Sequence, residues 1–459
     1  MSTIARRYRD GSLSPVDVVD AFLERIERLN PALKAFVLVT AETARREAKL
    51  AEARLRSGDK ESLSSVFGIP FSVKDTLPTK GVRTTFGSRL FADFVPTEDA
   101  AAVSALKQAG AILLGKTNTP AFGWVGVTQN FLFGATPNPW RPTVTPGGSS
   151  GGAAVAACAA LAPINIGTDG GGSLRIPAAF TGTVGFKPSY GRVPNYPTGA
   201  NWSLQHIGPM ARTIDDAMIA FDAIAQPDDR DPYCLPARRA DEAVREPTRR
   251  PLKIIFAPDL GFSEAIDPEI VDVCRKAVAA FAEMKHDVVE RELEWSSPMA
   301  FWQTIFVTGA ADRLGAFLPD RANDIEPTLR EFILEGRRLP ADAYYRACLA
   351  RNDWWQGVRK TFEECDLLIT PTVACAPFAL GMETPGQVAG RNVSFYGWSP
   401  FCPAFNLTGQ PAISVPAGRT KDGLPVGLQI VGHRFADTAV LAAAAAFETA
   451  RPWPDWVDH

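Results

Sequence analysis

Apolar residues recur at helical spacing near the start of the chain: Val18, Val19, Phe22, Leu23, Ile26 and Leu29 share one helix face. Ser14-Pro15 just before them reads as an N-cap followed by proline at the first helical position. A second, charged helix is predicted over Thr40–Arg56. The period then changes. Phe67–Asp75 is an apolar, β-branched run that predicts a buried strand ending in Lys74-Asp75. A helix over Glu98–Ala109 leads to a strand over Ala111–Lys116, and the alternation returns as Ala153–Leu161 (helix) and Ala162–Gly167 (strand). Helices alternating with buried strands predict α/β architecture around a central, mostly parallel or mixed sheet.

Gln226–Arg250 is polar and rich in Asp, Arg and Pro, and reads as a surface excursion rather than a domain boundary. Strands are predicted over Leu252–Ala257, Asp287–Leu293 and Asp366–Thr370, with an amphipathic helix over Pro268–Met284. Three mainly helical segments fill Ser297–Phe362. Ala412–Pro416 and Val426–Val431 read as late strands joined through a turn at Lys421-Asp422-Gly423, and Ala436–Ala450 as a closing helix. No repeat and no low-complexity tail appears.

Composition narrows the class. The 459 residues are 46% hydrophobic and 22% charged, which is globular composition with length for a large core. A net charge of −3, with both signs mixed along the chain, points away from a nucleic-acid surface. The seven cysteines are dispersed without C-x-x-C spacing, which argues against a disulfide framework or a zinc site. The first residues lack the apolar core of a secretory signal, and no window of about 18 apolar residues exists. A cytoplasmic protein without a membrane span is expected.

One stretch, Gly147 to Arg175, departs from ordinary loop composition. It holds two glycine-serine clusters, Gly147-Gly148-Ser149-Ser150-Gly151-Gly152 and Asp169-Gly170-Gly171-Gly172-Ser173. Glycine lets a substrate approach the main chain, and serine supplies a nucleophile. A serine hydroxyl is a weak nucleophile until a base removes its proton. The candidate bases among histidines are His206, His286, His433 and His459. The letters G-x-S-x-G occur at Gly147–Gly151 and Gly148–Gly152. Their lead-in carries Pro142 and Pro146 and reads as loop, not as the strand a nucleophile elbow needs. The other candidate base is Lys74, because a lysine kept neutral by desolvation accepts a proton. Taken alone, a lysine after an apolar run usually caps a strand and points into water.

The chain resembles an amidase signature enzyme. The resemblance rests on blocks in order: Ser72-Val73-Lys74-Asp75; Gly81 with Thr84-Thr85-Phe86-Gly87-Ser88; Gly115-Lys116-Thr117-Asn118; and Gly134 with Asn138-Pro139-Trp140. There follow Pro146 to Gly152; Gly167-Thr168-Asp169 with Gly171-Gly172-Ser173 and Arg175; and Gly185-Phe186-Lys187-Pro188. Phe405 to Ala412 and Gly423 to Gln429 extend it toward the C-terminus, so it covers nearly the whole chain. It implies one large domain with a central twisted mixed sheet covered by helices on both faces. Within that domain, 1–60 would be an N-terminal helical cover and 61–225 the catalytic core. Residues 226–400 would be a variable, pocket-forming part, and 401–459 a return to the core.

The resemblance implies a Ser–cis-Ser–Lys triad: Ser173 as nucleophile, Ser149 as bridging serine after a cis peptide, Lys74 as base. Backbone N–H groups of Gly170, Gly171, Gly172 and Ser173 are the oxyanion candidates, and losing one such donor typically costs about 2.7–4 kcal/mol in barrier. Where Gly170 stands the family more often has a larger residue, which points toward bulky amides. Ser150 would support Lys74 or the loop, and Asp169 would anchor the oxyanion loop. Arg175 would brace the core or, as the less favoured reading, meet a substrate carboxylate. Asp75 reads as a structural partner beside Lys74. Phe122, Trp124, Thr128, Gln129, Phe395, Tyr396, Trp398 and Phe401 are candidates for the substrate pocket. Cys158 and Cys402 read as small buried hydrophobes.

The implied activity is a free-standing amide hydrolase with no metal and no cofactor, acting on a small-molecule amide. Carbamates or esters are the alternative substrates by the same acylation chemistry. A second alternative is the glutaminase-type subunit of a tRNA-dependent amidotransferase. Against it, Phe301–Phe317 has no counterpart of that subunit's Ser-Arg-Tyr-Asp-Gly-Val-Arg-like segment. A non-catalytic binding protein is the third, and retention of Lys74, Ser149 and Ser173 together argues against it. No nucleic-acid or membrane partner is expected; a homodimer is carried over from the family.

Overall fold

Eleven strands form one sheet, whose order places Lys74 beside the strand that leads into the second glycine-serine cluster. In chain order the strands are β1 (Phe36–Val39), β2 (Pro70–Lys74), β3 (Ile112–Thr117), β4 (Ile164–Asp169), β5 (Val184–Lys187) and β6 (His206–Ala211). They continue as β7 (Lys253–Phe256), β8 (Asp287–Glu290), β9 (Leu367–Pro371), β10 (Ala412–Arg419) and β11 (Pro425–Gly432). Across the sheet the order is β1-β3-β2-β4-β6-β5-β10-β11-β9-β7-β8. Neighbours β3, β2 and β4 run parallel, as do β9, β7 and β8; the middle of the sheet is antiparallel. This is a computed structural model, and it describes residues 1–57, 63–237 and 250–453. Part of the Gln226–Arg250 excursion and His459 lie outside the described residues.

Both faces of the sheet are covered, and the strands show it residue by residue. Ile254 and Phe256 of β7 join one hydrophobic cluster and Ile255 the other; Leu367 and Ile369 of β9 divide from Leu368 in the same way. Strand side chains alternate between faces, so this division marks a sheet buried on two sides. The first cluster is closed by the helices Pro15–Leu33, Ala41–Arg56, Ile214–Ile224, Pro268–Glu283 and Asp437–Ala450. The second lies under Met299–Leu314, Pro327–Arg338 and Ala343–Phe362. Ser14 caps the first of these helices by accepting from Val16 N at 3.0 Å, with Pro15 in the first turn. Asp267 caps Pro268–Glu283 in the same way through Glu269 N.

Several predicted elements are shorter than expected: the helix over Glu98–Ala109 is Ala101–Gln108, and the strand over Asp287–Leu293 stops at Glu290. Of the main-sheet strands and α-helices among the described residues, seven carry no prediction: β1, β5, β6 and the helices Ser2–Arg9, Arg175–Thr181, Ile214–Ile224 and Phe401–Leu407. β6 reads HIGPMA, and Gly208 and Pro209 are breaker signals. It pairs with β4 regardless, with Pro209 opposite Ile166. Among the described residues no helix is long and apolar enough to cross a membrane.

Candidate active site

The carboxyl ends of β2 and β4 meet in the sheet, paired through Val73 and Ile166. Lys74 ends β2 and is fully buried. Its Nζ lies 2.7 Å from Ser149 Oγ and 2.9 Å from Thr168 Oγ1. Burial pushes its pKa down to about 7, against the opposing pull of Asp169.

Ser149 precedes the helix Gly151–Cys158, and the Gly148–Ser149 peptide is cis. A side chain on Gly148 would meet the Val127 carbonyl oxygen at 2.3 Å, so glycine is required for this close approach. Ser150 Oγ donates to Thr168 O at 3.0 Å and accepts from Thr168 N at 3.2 Å. It therefore ties the first cluster to the strand carrying Thr168 and makes no bond to Lys74. Ser150 N in turn donates to Ser173 O at 3.2 Å.

The second cluster continues straight from β4, and its peptide planes are held from outside. Trp302 Nε1 donates to Gly170 O at 3.1 Å. Gly172 N donates to Asp169 Oδ1 at 2.7 Å, and Ile176 N donates to Gly172 O at 2.7 Å. In a trans peptide the C=O and the next N–H point opposite ways. The Gly171 N–H thus faces away from Trp302, and the Ser173 N–H away from Ile176. This corrects the expected donor set. Gly172 N–H is engaged by Asp169, while Gly170, Gly171 and Ser173 N–H meet no acceptor among the described residues.

Asp169 is the anchor of this loop. It accepts from Gly172 N and Leu174 N, and pairs bidentately with Arg175 through Nε and a terminal nitrogen, both at 2.9 Å. Burial alone would raise its carboxyl; Arg175, Lys187 and Asn406 outweigh that and hold it below the usual carboxylate range. Arg175 is completely enclosed, donating also to Cys402 O, Gln429 Oε1 and Asn406 Oδ1. It braces the core and does not line the cavity. Asp75 does not pair with Lys74; it accepts from the Thr85 backbone and hydroxyl.

Above this floor lies a cavity of about 500 Å³, lined by Ser149, Thr168, Gly170, Gly171 and Ser173. Its upper wall is a cluster of Phe86, Phe91, Phe94, Phe122 and Phe317, with ring centroids 5.3 to 6.0 Å apart. Of the expected pocket residues, Phe122, Trp124 and Tyr396 line the cavity. The others stand off it, each for a visible reason. Thr128 Oγ1 bridges Gly147 O and Gly151 N inside the first cluster. Gln129 belongs to a two-stranded ribbon and donates to Gly381 O. Trp398 packs on Phe180 behind Gly126, Phe395 stacks on Trp124, and Phe401 is buried at the start of its helix. Among the described residues no histidine lines the cavity.

Two residues of the floor carried no assignment from sequence. Thr168 sits in the quoted block beside Asp169, and its contact with Lys74 depends on strand pairing. Trp302 lies in a stretch with no motif. Gly170 also resolves. A Cβ there would meet no atom within 4 Å, so its glycine leaves open space at the cavity floor.

A family model described as Amidase matches residues 17–441. The chain belongs to the amidase signature family. An acylamidase of Rhodococcus erythropolis is 36% identical over 460 residues, spanning 98% of this chain and 95% of that protein. A glutamyl-tRNA(Gln) amidotransferase subunit from Geotalea daltonii is 35% identical, spanning 97% of this chain and 96% of that one. A solved bacterial aryl acylamidase of the amidase signature family superposes with a TM-score of 0.92 at 31% identity, covering 99% of this chain and 96% of that one. This amidase signature chain is a hydrolase acting on amide bonds.

Proposed function

We propose that this amidase signature enzyme is a free-standing hydrolase that cleaves amides through an acyl-enzyme on Ser173, with Ser149 as relay and Lys74 as base. One observation carries the reading. A desolvated Lys74 Nζ stands 2.7 Å from Ser149 Oγ, beneath a cavity that Ser149 and Ser173 both line. Neutral Lys74 takes the Ser149 proton as Ser149 takes that of Ser173, and Ser173 Oγ bonds to the substrate carbonyl carbon. The C–O π pair moves to oxygen. Gly170, Gly171 and Ser173 N–H are the donors for that oxyanion, held in place before charge develops. The relay then runs backward and protonates the leaving nitrogen as the C–N bond breaks. Water enters by the same route and frees the carboxylate.

The amidotransferase reading needs glutamine, whose α-ammonium group calls for an acidic partner. Among the described residues no Asp or Glu lines the cavity, and its wall is largely aromatic and aliphatic. Both features favour aryl or alkyl amides, and the relative from Rhodococcus erythropolis is named an acylamidase. The purified chain is expected to hydrolyse anilides without ATP, tRNA or a partner, and to take a fluorophosphonate label on Ser173. Activity appearing only with partner and glutamine would overturn the free-standing reading. A carbamate and ester panel ranks the leaving groups.

A further inference from the structure

One wall of the cavity is a single helix. Trp302, Phe306, Ala310, Arg313 and Leu314, all on Met299–Leu314, line it at helical spacing. Trp302 marks the reactive end, since its indole holds Gly170 O. Arg313 stands eleven residues further on (313 − 302), about 16 Å along the axis at the usual rise. Both side chains lean toward the helix N-terminus, so the guanidinium stands about 16 Å from the loop that the Trp302 indole holds.

Arg313 is the one formally charged side chain on the cavity wall among the described residues; the rest are apolar, aromatic, hydroxyl or carboxamide groups. It makes no ion pair among the described residues, whereas the neighbouring Arg321 pairs with Asp324 at 2.8 Å. A guanidinium offers a planar fork of donors that matches a carboxylate. The apolar walls between it and the serines suit an apolar spacer, and no carboxylate awaits an ammonium group.

We infer that Arg313 is a specificity-determining residue that receives a carboxylate at the far end of the substrate. The favoured substrates are amides whose carboxylate is separated from the scissile carbonyl by an apolar spacer of roughly thirteen bonds, at about 1.2 Å of extended chain per bond. The inference rests on the reading of Ser173 and Lys74 as the reactive end of the same cavity. It assigns a substrate class that the serine chemistry leaves open.

The test uses the full chain carrying Ser173→Ala, so that binding is read without turnover. Calorimetry compares ω-carboxyalkanoyl anilides, with spacers from about six to about sixteen methylenes, against chain-matched neutral alkanoyl anilides. A second series, N-alkanoyl ω-amino acids, carries the carboxylate on the amine side. In one series the acid should bind about three- to tenfold tighter than its neutral match, with an optimum in spacer length. Arg313→Gln should erase that advantage, Arg313→Lys restore part of it, and Arg313→Glu reverse it, while neutral anilides change by less than about twofold. Equal loss for charged and neutral probes, no effect of Arg313→Gln in either series, or no binding of any probe would overturn the inference. Binding preference without hydrolysis by the parent enzyme would instead sink the acyl-enzyme reading alone. Hydrolysis of neutral anilides with no charge preference would sink only the role of Arg313.

Discussion

Two buried lysines sit on adjacent parallel strands, and their surroundings differ in one respect. Lys74 ends β2, and Lys116 stands next to the end of β3, paired with Val73. Both are wholly buried, and burial lowers both, Lys74 to about 7 and Lys116 to about 8. Lys116 is enclosed by the Leu77 carbonyl and the hydroxyls of Thr79 and Thr84, none of which leads to the serines. Lys74 touches two hydroxyls that line the cavity, and one of them is Ser149. Desolvation alone does not make a base. What separates the two is a hydroxyl that can carry the proton onward to a substrate.

The harshest test of this contrast is the nucleophile itself. Ser173→Ala should cut turnover at least about a thousandfold with an unchanged circular dichroism spectrum; substantial residual activity would remove the reason to call Lys74 different. Next, Lys74→Met should lower kcat by about a hundredfold or more near neutral pH. Wild-type kcat/KM should rise with pH through about 7, as Lys74 loses its proton, and that limb should vanish in the variant. Lys116→Met should keep the limb where it is and act on stability, by about 1–3 kcal/mol, because Thr79 and Thr84 lose a partner. A limb that moves with Lys116 instead would reverse the comparison.

Stability sharpens it further. Lys74 has a lower pKa folded than unfolded, so between about 7 and the ordinary lysine value the unfolded chain binds more protons. The fold therefore gains stability as pH rises through that window, and burial of Lys74 costs most below it. Lys74→Met should raise Tm more at pH near 6 than near 10, as scanning calorimetry reads; an equal gain at both would deny the depressed pKa. A smaller effect is expected at Trp302→Phe, which keeps the ring beside Gly171 but loses the bond to Gly170 O. kcat should fall about tenfold with KM nearly constant, and a pure KM effect would show that the indole merely lines the cavity. Smallest of all, Gly170→Ala should fold normally and leave small anilides within about threefold while penalising bulky ones.

Ser149 and Ser173 stand out in the sequence because their motifs are dense in glycine, and the backbone approaches those glycines serve leave little choice. Gly148 against the Val127 carbonyl is the clearest instance. Lys74 sits in a block without glycine, and only the fold brings it to Ser149. The cavity wall was not legible, because an aromatic letter carries no sign of which way it faces. Trp398 and Phe401 are as apolar as Phe122 and Tyr396, yet they pack behind the cavity. Nor does the wall keep to one stretch of chain: it draws on residues 76–205 as well as 302–403. In the fold, long periodic elements such as Pro15–Leu33, with its Ser14 cap, and Pro268–Glu283 are readable in the sequence. Short strands such as β1 and β6 were not, since four to six residues give little periodicity and Pro209 argues the wrong way.

Arg175 ties the loop before Ser173 to segments made much later in synthesis. Its partners Cys402, Asn406 and Gln429 lie 227, 231 and 254 residues downstream. A growing polypeptide therefore exposes its serines long before the clamp behind them exists. Until Asn406 and Gln429 have been synthesised, Asp169 lacks its Asn406 donor and Arg175 lacks the acceptors behind it. The loop that carries Ser173 is thus braced, through Arg175, by chain made more than 200 residues after it.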